Sequence, residues 1–188
     1  LCGGATVFSP LLCNGINPTH KVGVIGIGGL GHLALQFANA FGCEVTAISS
    51  SPDKKQEALG FGAHHFLSSN DASAIAKAAN TLDFILCTSM SSMKWTDYLN
   101  MLRPKGKLCF VGAVEKPIEV PFFSLISGRK GISASNIASR PHMKQMLETA
   151  AKHGIKAQIE LFPLKDVNKA IEKVRSGKIR YRAVLTNE

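Results

Sequence analysis

The sequence lacks several features that would place it in a specialised class of protein. No apolar run reaches the roughly 18 residues of a membrane-spanning helix, so we predict no membrane span. The five cysteines include no CxxC pair, and their odd number argues against a disulfide framework. The net charge of +9 is scattered along the chain rather than concentrated in one arm, which argues against nucleic-acid binding. What remains is the composition of an ordinary globular domain.

The most informative stretch is Val22 to His32, where a short apolar run leads into the letters GIGGLGH. Apolar β-branched residues followed by a GxGxxG and then by helical periodicity predict a strand, a tight turn and a helix. In such a motif Gly26 permits the turn, Gly28 lets the backbone approach a pyrophosphate, and Gly31 lets the helix pack against the strand. The N-terminus of the helix then favours an anion.

This motif predicts a dinucleotide-binding site, with an ordinary structural turn as the alternative. Its cofactor-binding residues are expected to be Gly26, Gly28, Gly29, Leu30 and Gly31. Five cysteines without a disulfide pattern in a nucleotide-binding fold predict reduced thiols and hence a cytoplasmic protein.

The end of the second predicted strand, residues 44–48, indicates which dinucleotide is bound. An acidic residue there would hold the ribose 2′-hydroxyl of NAD, but this strand is followed by three serines and then by Lys54. Hydroxyl groups and an ammonium group would instead bind a 2′-phosphate through charge-assisted hydrogen bonds. The pattern therefore predicts NADP, held by Ser49, Ser50, Ser51 and Lys54.

An alternative explains part of the same segment. Ser51 stands where it could cap a helix that opens with Pro52, although capping leaves Ser49, Ser50 and the missing acid unexplained. Asp53 is the nearest carboxylate, and we expect it to face solvent in the first helical turn.

Strands and helices alternate along most of the chain, which predicts a doubly wound α/β fold with a six-stranded parallel sheet and helices on both faces. The segment 117–129 is predicted to be irregular. Residues 103–106 are predicted to interrupt the regular secondary structure before the fifth strand. After residue 153 the pattern changes to strand, helix and strand. The six predicted strands of the sheet are 22–25, 44–48, 65–67, 82–86, 107–112 and 132–137, and the main helices are 30–41, 72–79, 95–102 and 141–153.

With these elements placed, the chain resembles the zinc-type medium-chain alcohol dehydrogenases, and within them the NADP-preferring group similar to cinnamyl alcohol dehydrogenases. The resemblance covers nearly the whole chain. It is carried by LCGGATVFSPL from Leu1, GIGGLGH from Gly26, SSSPDKKQEALGFGA from Ser49, LCFVG from Leu108 and ISASNI from Ile132.

The resemblance implies that a coenzyme domain is inserted between two parts of a catalytic domain. Residues 1–16 would then end the first catalytic part, residues 17–155 would form the NADP-binding Rossmann domain, and residues 156–188 would be the returning catalytic part. The chain starts at Leu1 rather than at methionine, and we expect it to be a fragment without the bulk of the catalytic domain. Cys2 matches a ligand of the catalytic zinc, which only the intact enzyme would bind because one cysteine cannot form the site alone.

Further cofactor contacts follow from the family pattern at Thr6, Thr88, Gly112, Ser135 and Asn136. Thr88 and Ser135 have the alternative of merely satisfying strand ends. Ala134 and Ala138 replace frequent glycines, and Cys87 replaces a frequent aspartate and is expected to be a packed thiol. The histidines, including His32 and His142, are interpreted as surface or capping residues. No residue of this chain is identified as catalytic.

The implied reaction of the intact enzyme is reversible hydride transfer between NADPH and an aldehyde, which yields a primary alcohol. Two alternatives remain: a zinc-free quinone or enoyl reductase, against which Cys2 argues, and a non-catalytic NADP-binding module or inactive fragment. A methyltransferase would leave the serine and lysine cluster unexplained. The apolar segment between Pro117 and Ile137 predicts a homodimer, because family members pair along this edge.

Overall fold

The computed structural model describes residues 1–187, which form two compact units. The first unit is Leu1–Ile155 and the second begins at Lys156. Within the described residues, no helix combines the length and the apolar character that crossing a bilayer demands. The assignment of residues 1–16 and 156–188 to a catalytic domain stays a prediction.

A six-stranded parallel sheet forms the centre of the first unit, as predicted. The strands lie in the order β3-β2-β1-β4-β5-β6, which is the doubly wound order with its reversal between β1 and β4. Ligands of such sheets bind outside the carboxyl ends of the strands at that reversal. The strands are β1 (Lys21–Ile25), β2 (Glu44–Ser49), β3 (His65–Ser68), β4 (Leu82–Cys87), β5 (Leu102–Phe110) and β6 (Gly131–Ala134).

Helices form two contacting groups around this sheet. One group contains α1, α2 and α7, and in the other α5 contacts both α4 and α6. The central strands β1 and β4 are buried almost throughout, which explains their nearly continuous apolar sequence. The helices are α1 (Cys2–Cys13), α2 (Gly31–Ala40), α3 (Lys55–Gly60), α4 (Ala72–Lys77), α5 (Trp95–Met101), α6 (Phe122–Ile126) and α7 (Arg140–His153).

Four features of the first unit were not predicted. Residues 2–13 form α1, whose helical character is obscured by two glycines and a proline; Gly4 lies so close to α7 that a Cβ atom would stand 3.0 Å from Sδ of Met146. The fifth strand begins at Leu102 rather than at residue 107. Leu102 pairs with Leu82, and a register shift between Leu82 and Phe84 accommodates residues 103–106 within the strand. The sixth strand is shorter than predicted, and part of the irregular segment forms α6.

The second unit has the predicted strand, helix and strand order. Strands β7 (Ile159–Pro163) and β8 (Arg182–Thr186) pair in parallel, and α8 (Val167–Arg175) contacts both of them. Glu160 joins the helix to the loop before β8, because its carboxylate accepts hydrogen bonds from Nζ of Lys173 and from the backbone N–H of Arg180. These bonds hold the pKa of Glu160 below its ordinary value.

Candidate coenzyme site

The turn between β1 and α2 has the geometry that its glycines predict. Gly26 has a φ of +87°, which a residue with a side chain rarely adopts. A Cβ atom on Gly31 would lie 1.9 Å from the carbonyl oxygen of Gly26, so only glycine permits this contact between helix and strand. A Cβ atom on Gly28 would meet nothing within 4 Å, which leaves the backbone there open to a ligand.

The N-terminus of α2 presents hydrogen-bond donors without a protein acceptor. The backbone N–H groups of Gly28, Gly29 and Leu30 donate no hydrogen bond to another group of residues 1–187, and no side chain caps the helix. The first turn also contains no acidic residue. Unpaired donors together with the helix dipole favour an anion at this position.

A cavity of about 660 Å³ lies in front of this turn, at the carboxyl ends of β1, β2 and β4. Nine of the predicted cofactor residues line it: Gly26, Gly28, Gly29, Leu30, Ser49, Ser50, Ser51, Lys54 and Thr88. The structure therefore brings together the glycine turn and the serine cluster, two segments about twenty residues apart in sequence. A long cavity between a phosphate-binding turn and the end of β2 suits an extended dinucleotide.

Ser51 does not make the capping hydrogen bond that was the alternative explanation for this residue, although it precedes the 3₁₀ helix Pro52–Lys54. Ser49 is buried, and its hydroxyl oxygen accepts the backbone N–H of Ser51 at 3.2 Å. Ser50 is exposed beside the cavity, and Asp53 is exposed as expected.

Lys54 connects the two halves of the cavity wall. Its Nζ atom donates a hydrogen bond to the carbonyl oxygen of Ile27 at 2.8 Å, and thus reaches from the end of β2 to the glycine turn. The ammonium group lies among polar groups at the cavity edge, where an anionic ligand would gain a charge-assisted contact.

Thr88 satisfies a strand end, as its alternative interpretation proposed, and it also lines the cavity. Its hydroxyl oxygen lies 2.6 Å from the carbonyl oxygen of Gly26 and 3.1 Å from that of Ile25. The hydroxyl group therefore holds the glycine turn against β4.

Further cavity residues were missed by the sequence analysis because they carry no motif. Asn70 follows β3 and donates its side-chain amide to the carbonyl oxygen of Ser50 at 3.0 Å. Lys94, Asp97 and Tyr98 reach the cavity from the start of α5, where Lys94 pairs with Asp97 at 3.1 Å. Only the crossover topology brings α5 to this wall.

The other predicted cofactor residues lie outside this cavity. Gly112 packs so closely that a Cβ atom would stand 2.4 Å from the carbonyl oxygen of Ser89. Ser135 and Asn136 line a separate cavity of about 380 Å³ beside Ser9, and Asn136 accepts the backbone N–H of Ile137 through its side chain. Thr6 is buried in α1.

Cys2 is exposed at the first position of α1, and its sulfur atom lies 3.9 Å from the hydroxyl oxygen of Thr6. Over residues 1–187, no three His, Cys, Asp or Glu side chains come together as a group that could hold a metal ion. A catalytic zinc takes three protein ligands, so the described residues do not form a zinc site by themselves.

Two histidines differ from the predicted surface or capping roles. His32 is fully buried, and its Nδ1 atom lies 3.0 Å from the carbonyl oxygen of Gly28. The Nδ1 atom of His142 lies 2.9 Å from the hydroxyl oxygen of Ser9 and joins α7 to α1. The sequence does not reveal either contact. That of His32 depends on how the glycine turn folds, and the partner of His142, Ser9, lies 133 residues away in the chain.

The buried thiols are structural. Cys87 is fully buried as predicted, and burial raises the pKa of its thiol from 9.0 to about 11. Burial likewise raises the pKa of Cys43 to about 11. Neutral thiols at these positions pack as small apolar groups and are poor nucleophiles at neutral pH.

The chain is similar to several known proteins over nearly its whole length. The chain is 46% identical over 186 residues to aldehyde reductase AdhA of Synechocystis, covering 99% of this chain and 55% of that protein. Its structure matches a cinnamyl alcohol dehydrogenase of Sorghum bicolor with a TM-score of 0.95 and 42% identity, and one of Helicobacter pylori complexed with NADP(H) with a TM-score of 0.87 and 34% identity. Each match covers 98% of this chain and 53% of the other.

The chain thus spans about half the length of the relatives that it matches. Residues 29–152 match the family described as zinc-binding dehydrogenase, and this segment contains most of the cavity wall. Because this match covers more than half of its residues, the chain belongs to the zinc-binding dehydrogenase family.

Proposed function

We propose that this chain is the NADP(H)-binding portion of a zinc-dependent alcohol dehydrogenase that interconverts aldehydes and primary alcohols by hydride transfer. The names of the relatives, an aldehyde reductase and cinnamyl alcohol dehydrogenases, support this reaction class. The complex of the Helicobacter pylori relative with NADP(H) supports the choice of coenzyme.

The observation that carries the proposal is the shared cavity of the glycine turn and the serine cluster. The N–H groups of Gly28, Gly29 and Leu30 would bind the pyrophosphate. Hydroxyl groups of the serine cluster and the ammonium group of Lys54 would bind the 2′-phosphate, and no carboxylate follows β2 directly to repel it. The bound coenzyme would supply or accept the hydride.

The nicotinamide end would lie toward the carboxyl ends of β4 and β5. Thr88 lines the cavity there, and we propose that Gly112, Ser135, Asn136 and Thr6 contact this part of the coenzyme in the whole protein. The family resemblance supports these four contacts.

We propose Cys2 as one ligand of the catalytic zinc, completed by ligands that this chain does not contain. The alternative of a non-catalytic NADP-binding module rests on one observation: residues 1–187 contain no group of three or more His, Cys, Asp or Glu side chains that could hold a metal ion. Under both proposals the 188-residue chain by itself should bind no stoichiometric zinc, which elemental analysis can measure. About one tightly bound zinc per chain would contradict both, because it would require a set of ligands that the described residues do not form.

Two further properties belong to the proposal. The exposed phenylalanines of α6, the helix that precedes the edge strand β6 in the chain, support a homodimer. The five cysteines are free thiols, which supports a reducing compartment such as the cytoplasm.

Titration with NADPH and NADH tests the proposed function. We expect saturable binding of both, with NADPH bound at least tenfold more tightly, and with that preference falling as salt screens the 2′-phosphate contacts. Equal affinities or tighter NADH binding would contradict the NADP(H) assignment. No binding of either dinucleotide would contradict the function as a whole.

A further inference from the structure

Three consecutive carbonyl groups of the glycine turn each receive a side-chain hydrogen bond from a different element. Thr88 after β4 contacts the Gly26 oxygen, and Lys54 after β2 contacts the Ile27 oxygen. The third contact is made by His32 in the first turn of α2, whose Nδ1 atom lies 3.0 Å from the Gly28 oxygen. A carbonyl oxygen can only accept, so Nδ1 carries the proton in this contact.

The peptide between Gly28 and Gly29 most needs such a restraint. Neither residue has a side chain, so this peptide can rotate through backbone conformations that are closed to other residues. A trans peptide is planar, with its C=O and N–H bonds pointing in opposite directions. Fixing the Gly28 oxygen therefore also fixes the direction of the Gly29 N–H group.

We propose that His32 is a positioning residue for the coenzyme, which holds the Gly28 carbonyl toward α2 so that the Gly29 N–H faces the pyrophosphate. This inference rests on the proposed function. The Gly28 oxygen accepts both the His32 backbone N–H at 3.1 Å and the His32 ring, and it is thereby directed into the helix. Rotated outward, the same oxygen would present a negative dipole to an anion.

The surroundings of His32 suit a fixed role. The side chain is fully buried, and its ring lies edge-on to Phe61 with centroids 5.5 Å apart. The ring does not line the cavity, so His32 acts through the Gly28 carbonyl rather than by touching the ligand.

The test compares His32→Leu with His32→Asn. Leucine fills a similar volume without a donor, whereas the side-chain nitrogen of asparagine occupies the position of Nδ1 and can still donate to the Gly28 oxygen. Three probes are titrated by calorimetry: NADPH, NADH and 2′-AMP, which contains the 2′-phosphate but no pyrophosphate. His153→Leu, an exposed position in another part of the unit, is the matched control.

We expect His32→Leu to weaken NADPH and NADH about tenfold each, with their ratio unchanged, and to change 2′-AMP affinity less than twofold. His32→Asn should recover most of the dinucleotide affinity. Unchanged dinucleotide binding in His32→Leu, equal weakening of all three probes, or no recovery in His32→Asn would each overturn the inference. A wild-type protein that binds neither dinucleotide would instead contradict the proposed function, so the two failures are distinguishable.

Discussion

Lys54 and Ile27 are hydrogen-bonded across the candidate coenzyme cavity, with the lysine Nζ atom 2.8 Å from the isoleucine carbonyl oxygen. The bond joins the segment that would select the coenzyme to the turn that would bind its pyrophosphate. A phosphate at the end of β2 could share the same ammonium group, because lysine has three donors. The choice between NADPH and NADH is therefore expected to be coupled to pyrophosphate binding through the Lys54 side chain.

Replacing Lys54 with Met should reveal that coupling. We expect NADPH affinity to fall between about tenfold and about a hundredfold, since a charge-assisted contact is lost. NADH affinity should also fall, by about threefold, because the turn loses its contact at Ile27. Lys55→Met removes the same charge from the neighbouring exposed residue and should change both affinities less than twofold. Fluorescence titration of the bound coenzymes measures these effects, and equal losses for Lys54→Met and Lys55→Met would contradict the contact.

An aspartate at Ser50, rather than at Ser49, should reverse the preference for NADPH over NADH. Ser50→Asp places a carboxylate at an exposed position on the cavity wall, where it can accept from a ribose 2′-hydroxyl but repels a 2′-phosphate. We expect NADPH to bind at least tenfold more weakly and NADH to bind equally or better, as measured by titration with both. Ser50→Ala is the control for loss of the hydroxyl group alone, and an unchanged preference in Ser50→Asp would show that the 2′-phosphate is bound elsewhere.

Ser49→Asp should behave differently, because Ser49 is 6% exposed and its hydroxyl group accepts the Ser51 N–H. Burying a carboxylate there costs stability, so we expect a lower urea midpoint along with weaker binding of both coenzymes.

Two glycines of one turn should respond in opposite ways to alanine. In Gly31→Ala the new Cβ atom would lie 1.9 Å from the Gly26 oxygen, so the turn and α2 must separate, and we expect a loss of stability of about 1 to 3 kcal/mol. In Gly28→Ala the Cβ atom meets no protein atom, so stability should change by less than about 0.5 kcal/mol while NADPH binding weakens. Urea unfolding and coenzyme titration measure the pair, and a stable Gly31→Ala would contradict the contact.

Stability should decrease at alkaline pH because of Cys43 and Cys87. Both thiols have pKa values raised by burial from 9.0 to about 11. Their contribution is fully present below pH 9 and is lost as pH rises toward 11, since the unfolded chain releases these protons first. Each thiol should lower the free energy of unfolding by up to about 1.4 kcal/mol per pH unit in this window.

Urea midpoints at several pH values from 8 to 11 measure this decrease. The Cys43→Ala and Cys87→Ala double variant is the control, and it is the slope with pH rather than the absolute stability that is compared. If the urea midpoint of the double variant falls equally steeply with pH, groups other than these two thiols cause the loss of stability.

Association should depend on the α6 surface. Phe122 and Phe123 are 67% and 75% exposed, and α6 precedes the edge strand β6. We expect a dimer by light scattering and a monomer after Phe123→Glu, because a charge opposes burial of this patch. Leu161→Glu, at an exposed apolar position in the second unit, is the control; a monomeric wild-type chain at high micromolar concentration would contradict the dimer.

Local sequence determined the elements of the sheet because each rests on short-range physics. The apolar run before Gly26 and the helical periodicity after Gly31 were sufficient to predict β1, the turn and α2. The absence of a carboxylate directly after β2 is likewise a property of the sequence alone. The local geometry at the three motif glycines also followed, since at each position it depends on the missing Cβ atom within one turn.

The tertiary structure decided which distant residues meet. Helix α1 was missed because its glycines and proline have low helix propensity, and packing against α2 and α7 outweighs that propensity. The early start of β5 depends on its register against β4, which no local pattern encodes. Lys54 and Thr88 meet the glycine turn only because β1 lies between β2 and β4 in the sheet. Burial of His32, and hence its proposed role, follows from packing on Phe61, a contact 29 residues away that hydrophobic periodicity cannot reveal.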